Sequence, residues 1–177
     1  MQPLIILGRD GVLLEPVAGG LLSVSGLCII PGSLEAVSRL NHAGYRVALT
    51  TNQPALGEGR LNIETLNAIH ARLAEGLARV GGHLDALLTC PHTEASNCDC
   101  RKPGTGMLRE IADRLDTPLE TVTVIGDDTA DIEAARAANA MPLLVLTGHG
   151  IATRADYPEV PAFDDLDHAV SWILTQR

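Results

Sequence analysis

Three thiols and an imidazole fall within eleven residues, as Cys90-Pro91-His92 followed by Cys98-Asp99-Cys100. The spacing Cys-x-His-x5-Cys-x-Cys supplies the four donors of a closed tetrahedral zinc site. Such a site leaves no position for substrate and is therefore structural. Chance clustering of buried cysteines is the plain alternative. The lack of any other structural signal over 90–100 favours metal, as does a cysteine pattern without a secretory leader. A metal-fixed loop would also fix the next three residues, Arg101-Lys102-Pro103. Two adjacent cations held in place suit a phosphate group, Arg as a bidentate fork and Lys as a point charge.

Three other stretches end apolar runs in residues that do chemistry. Leu4-Ile5-Ile6-Leu7-Gly8-Arg9-Asp10-Gly11-Val12 reads as a strand entering a glycine turn, with Asp10 at its carboxyl end. That is where open α/β sheets hold their ligands. Leu49-Thr50-Thr51-Asn52-Gln53 ends a second strand. A hydroxyl and exposed backbone N–H groups there can hold phosphate oxygens, although Thr-Asn is also ordinary turn chemistry. Val124-Ile125-Gly126-Asp127-Asp128-Thr129-Ala130-Asp131 ends a third in a glycine turn and three acids. Carboxylates at a strand end suit Mg²⁺, which takes oxygen ligands and few protein carboxylates. Asp127 is the expected ligand, Asp128 a cap for the next helix, and Asp131 a brace for the loop.

The elements that must position these residues alternate in a βαβ rhythm, which predicts a parallel sheet with helices on both faces. Strands are expected at Leu4–Leu7, Arg46–Thr50, Leu84–Thr89, Val122–Ile125 and Leu143–Leu146. Helices are expected from Pro31 to about Ala43 with Ser33 as N-cap and Gly44 as stop, and at about Ile63–Val80, Met107–Leu115, Asp128–Ala138 and Leu166–Thr175. Thr117-Pro118-Leu119-Glu120 has the form of a capping box. Gly11–Pro31 reads as an irregular flap, with a small hairpin pairing Leu21–Val24 and Cys28–Ile30.

The 177 residues suffice for one domain, 1–177, with a full core that aromatics contribute little to, at 2%. A net charge of −9 and the lack of any basic patch argue against nucleic acid or an anionic membrane as partner. No apolar run approaches the roughly 18–20 residues that span a bilayer, and Met1-Gln2-Pro3 opens no signal peptide, so a cytoplasmic location is expected.

The ordered set Arg9-Asp10-Gly11, Thr51-Asn52-Gln53, Arg101-Lys102-Pro103 and Gly126-Asp127-Asp128 resembles the four motifs of the haloacid dehalogenase superfamily of phosphatases. The Cys/His block running into Arg-Lys-Pro resembles its zinc-containing branch, which holds the heptose 1,7-bisphosphate and histidinol-phosphate phosphatases. Thr51-Asn52-Gln53 and Leu146-Thr147-Gly148-His149-Gly150 point to the heptose members. The resemblance implies a Rossmann-like doubly wound sheet in the order 5-4-1-2-3. It implies no cap domain, since Gly11–Pro31 is too short for one, and a monomer acting on a small sugar phosphate. In the family reaction an aspartate attacks phosphorus and a second acid, two residues on, protonates the leaving oxygen. That second acid corresponds to Asp10. Thr51 and Lys102 would hold the phosphoryl group, and Asn52 and Arg101 would contact substrate. Mg²⁺ would be held by the attacking aspartate, the Asp10 main-chain carbonyl and Asp127.

The attacking position is Gly8, which offers neither nucleophile nor metal ligand. Loss of that group typically costs about 10⁴–10⁶-fold in rate. The resemblance thus implies either a phosphatase of very low activity or a silent relative that binds a phosphorylated ligand or a protein partner. Arg9 is cationic and is expected on the other face of the strand. Val12 and Asp128 are milder departures, at positions where the family often has Thr and Lys.

Overall fold

A computed structural model describes residues 2–176. One parallel sheet runs β3-β2-β1-β4-β5-β6, where β1 is Leu4–Gly8, β2 Arg46–Asn52, β3 Ala86–Cys90, β4 Thr123–Gly126, β5 Met141–Val145 and β6 Ala162–Phe163. The expected order is present, with one short strand added at the β5 edge. β1 lies at the centre and all five of its residues are buried. A strand covered on both faces must read as a continuous apolar run, as Leu4–Leu7 does.

Alternation along β1 divides the core. Ile5 and Leu7 face one large cluster with Val37, Leu40, Leu73 and Val170; Leu4 and Ile6 face a second with Leu108, Ile111 and Ala135. The first cluster draws on α1 (Ser33–His42), α3 (Ile63–Arg79) and α7 (Leu166–Thr175), the second on α4 (Gly106–Arg114) and α5 (Thr129–Ala137). Two shorter helices complete the chain, α2 (Pro54–Gly57) and α6 (Gly150–Asp156), and neither was expected. Among the described residues, no helix is long and apolar enough to cross a membrane.

Three local expectations are corrected. The α1 N-cap is Gly32, at φ 79°, while Ser33 lies inside the helix and donates its hydroxyl to the Leu13 carbonyl at 3.1 Å. Leu21–Val24 and Cys28–Ile30 form no hairpin. A 3₁₀ turn at Val24–Gly26 intervenes, and Ile29 bridges instead to Leu14, because Leu14 and Leu21 are drawn into the core. Thr117–Glu120 leads into a 3₁₀ turn with no side-chain cap. The Thr117 hydroxyl turns to the Leu115 carbonyl, and Arg46 donates to it at 2.5 Å.

Register places the motif ends side by side. Gly8 pairs with Thr50, and Asn52 pairs with Cys90. β4 ends at Gly126, one residue before Asp127. All four motifs therefore open at the carboxyl edge of the sheet.

Candidate active site

The loop after β3 gathers its donors tightly. Cys90 Sγ lies 3.7 Å from Cys98 Sγ and 3.2 Å from Cys100 Sγ, which is 3.5 Å from Cys98 Sγ. His92 Nδ1 lies 3.6 Å from Cys90 Sγ and 3.3 Å from Cys100 Sγ. A tetrahedron with Zn–S near 2.3 Å has S···S edges of about 3.8 Å, so this donor set has close to the size a bound ion requires. Burial and the neighbouring Cys90 and Cys98 push the Cys100 thiol up to about 12, a shift that a bound cation would reverse by favouring the thiolate. The four residues could hold a metal ion.

That loop reaches the sheet edge through Asn52. Its Oδ1 accepts from the Lys102 backbone N–H, and its Nδ2 donates to the Lys102 carbonyl, both at 3.0 Å. Both ends of this amide are engaged in fixing Lys102, which was not expected of a substrate contact. Lys102 then extends inward, buried, to Asp131 Oδ1 at 2.6 Å. Burial disfavours its ammonium, and the Asp131 carboxylate more than reverses that, leaving its pKa raised.

Gly8, Arg9, Asp10, Thr51, Asn52, Lys102, Asp127, Asp128 and Asp131 line one cavity of about 80 Å³. Whole-ligand pockets run to roughly 300–1,000 Å³, so the enclosed part suits a phosphoryl-sized group. Gly8 is ordinary strand backbone. A Cβ built there would lie 3.2 Å from Val12 Cγ2 and 3.4 Å from Asp131 Oδ2.

Arg9 does not lie apart from Asp10 as expected. β1 ends at Gly8, so strand alternation no longer governs its direction. Its buried guanidinium grips Asp10 as a fork, Nε to Oδ1 at 3.1 Å and Nη2 to Oδ2 at 2.9 Å. Gln53 Nε2 donates to Asp10 Oδ2 at 3.2 Å and to the Thr51 hydroxyl at 2.8 Å. Asp10 and Thr51 are thus tied into one network.

Asp127 lies between two close approaches. Gly11 (φ +80°) and Gly148 (φ +58°) come so near its carboxylate that a Cβ on either would clash, at 2.0 and 2.3 Å. Asp127 Oδ2 accepts from the His149 backbone N–H at 2.9 Å and from His149 Nδ1 at 3.1 Å. Burial pushes the Asp127 carboxyl above the usual range, His149 pulls it back, and Asp131 pushes it up again. Asp128 caps α5 by accepting from the Asp131 N–H at 2.9 Å, as expected, while burial and the Asp131 charge raise it to about 6. Asp127, Asp128 and Asp131 each offer an oxygen within 4.8 Å of the others, a second donor group fit for a cation.

Arg101 stands beside this cavity, on the wall of a shallow depression of about 390 Å³ shared with Lys102, Pro103 and Ala130. Its Nη1 is buried with no hydrogen-bond partner among the described residues. Sequence reasoning missed Gln53 as a bridge, His149 as a partner of Asp127, and His70, which touches Arg9. His149 lies in the Leu146–Gly150 segment that carries the resemblance, whereas His70 had no signal of its own.

Comparison with known proteins shows which family and fold the chain is similar to. The family described as "HAD-hyrolase-like" matches residues 99–169. The chain is 40% identical, over 98% of both sequences, to D-glycero-beta-D-manno-heptose-1,7-bisphosphate 7-phosphatase of Pseudomonas aeruginosa. It is 44% identical to the enzyme of that name from Bordetella bronchiseptica, over 86% of this chain and 85% of that one. The crystal structure of the B. bronchiseptica D,D-heptose 1,7-bisphosphate phosphatase, complexed with magnesium and phosphate, superposes with a TM-score of 0.95 at 40% identity, covering 99% of each chain.

Proposed function

The chain belongs to the haloacid dehalogenase-like family of phosphatases, and on that premise we propose that its site receives the 7-phosphate of a D,D-heptose 1,7-bisphosphate or a closely similar sugar phosphate. The observation that carries this reading is the convergence of Asp10, Thr51, Lys102 and Asp127 on one phosphoryl-sized cavity. The names of its relatives supply the substrate class. Histidinol phosphate is the alternative substrate.

In this reading Lys102 and the Thr51 hydroxyl hold the phosphoryl oxygens. Asp10 delivers a proton to the leaving oxygen. Asn52 holds Lys102 in place, and Arg101, on the wall of the depression beside the cavity, contacts substrate. Mg²⁺ would be held by Asp127 and the Asp10 main-chain carbonyl, where it would neutralise developing phosphoryl charge. Zn²⁺ would be held by Cys90, His92, Cys98 and Cys100, bracing the loop that carries Arg101 and Lys102. Gly8 leaves no side chain to attack phosphorus, so turnover by the chain as it stands is very low. Only water remains as the attacking group.

A second reading arises from the same glycine: a relative that binds a phosphorylated ligand or a protein partner without cleaving it. One experiment separates them. Phosphate release from heptose 1,7-bisphosphate, histidinol phosphate and an aryl phosphate is measured with Mg²⁺ for the unmodified chain and for Gly8→Asp. The phosphatase reading expects the substitution to raise turnover by about 10⁴-fold or more. Binding without rescue would favour the silent relative, and brisk Mg²⁺-dependent turnover by the unmodified chain would refute the role given to Gly8.

A further inference from the structure

We infer that His70 is a positioning residue that locks the Arg9 fork onto Asp10. The inference rests on the reading of Asp10 as the proton donor. Arg9 uses Nε and Nη2 on the two Asp10 oxygens, and its remaining nitrogen, Nη1, lies 3.1 Å from His70 Nε2. A guanidinium only donates, so Nε2 must accept and the imidazole proton sits on Nδ1. The Arg9 side chain is 0% exposed while that of Asp10 is 32% exposed. The carboxylate at the cavity wall is therefore held from behind by a buried cation whose own orientation needs a third anchor.

His70 supplies that anchor from the middle of α3, a separate element rooted in the core through Leu66, Ile69, Leu73 and Leu77. Without it, Nη1 is a buried donor lacking an acceptor, and the fork loses a contact that fixes it against an element other than its own. The surroundings keep His70 in the accepting form. Arg9 and Asp10 face it on one side, and on the other it shares an apolar depression with His83 and Asp85. Burial first, then the Arg9 charge, lower its pKa to about 4. Fixing a supporting group this way sets the aim of the residue it supports.

The test uses His70→Gln, which keeps an acceptor, and His70→Leu, which removes it. In the unmodified chain at neutral pH, ¹⁵N spectra of the imidazole should show Nε2 bare and Nδ1 protonated. The Arg9 guanidinium protons should be slowly exchanging, unchanged in His70→Gln and broadened or lost in His70→Leu. In the Gly8→Asp background, His70→Leu should lower kcat on the order of 10- to 100-fold with KM unchanged, and His70→Gln should restore most of it. A protonated Nε2, an Arg9 signal indifferent to His70→Leu, or a KM effect alone overturns the inference. The spectra need no turnover. If Gly8→Asp is inactive, the catalytic reading of Asp10 fails while the hold of His70 on Arg9 is still decided, and the tautomer is read without any variant.

Discussion

Lys102 Nζ sits 2.6 Å from Asp131 Oδ1 with both side chains buried, and that same carboxylate is the nearest polar group to a Cβ at position 8. The ammonium on the cavity wall is thereby tied to an acid on α5. Breaking the pair from one side leaves an uncompensated buried charge. Lys102→Met should cost about 3–5 kcal/mol of stability, and the double substitution Lys102→Met/Asp131→Leu should recover most of that loss. Urea denaturation of the single and double variants measures both. Additive losses would show that the two side chains do not depend on each other.

Gly8→Asp brings a new carboxylate beside Asp131 and Val12. Without metal the variant should be less stable than the unmodified chain by about 0.5–3 kcal/mol. Mg²⁺ should then raise its melting temperature by more than that of the unmodified chain, because the ion gains an anionic ligand. Thermal melts with and without Mg²⁺ give the comparison. An equal response in both proteins would place the ion away from position 8.

Purified protein should carry about one zinc per chain, and Cys98→Ser or Cys100→Ser should abolish it. Neither large apolar cluster includes a residue of the 90–100 loop. Metal loss should therefore open the loop and its Arg101-Lys102 extension to protease while hydrogen exchange in β1 and β2 stays protected. Global unfolding on chelation would make the zinc a requirement of the whole fold.

His70 gives a pH dependence with a definite sign. Its folded pKa, about 4, lies below the ordinary histidine value of about 6.5. The unfolded chain therefore takes up the proton first as pH falls. The stability that neutral His70 contributes is full above about 6.5 and is lost progressively toward 4. His70→Gln should flatten the decline of melting temperature across that window. An unchanged slope would mean that other groups govern it.

The four strands that carry the site were legible because each is a mainly apolar run, ending at Gly8, Asn52, Cys90 or Gly126, and parallel register then sets those ends side by side. Cys90, Asn52 and Lys102 meet because β3 pairs with β2 and the loop folds back. α6 escaped notice because it is seven residues long, opens on Gly150 and exposes Ile151, so it carries no apolar stripe. Gly32 outcompeted Ser33 as a cap because the chain enters α1 through a left-handed turn. Arg9 was misjudged because alternation was extended one residue past the end of its strand. The Arg9–His70 contact joins residues 61 apart across two elements, and no local pattern encodes it.

Gly8 sits in extended backbone at the end of the central strand, paired with Thr50, and needs no unusual dihedral that only glycine could adopt. Two of the four glycine codons lie one base from an aspartate codon. If the site is a phosphatase site lacking its attacking group, a lineage carrying this fold crosses between holding a phosphate and cleaving it by a point mutation, in either direction. The supporting network of Asp10, Lys102 and Asp127 is what must be conserved meanwhile for the return step to stay open.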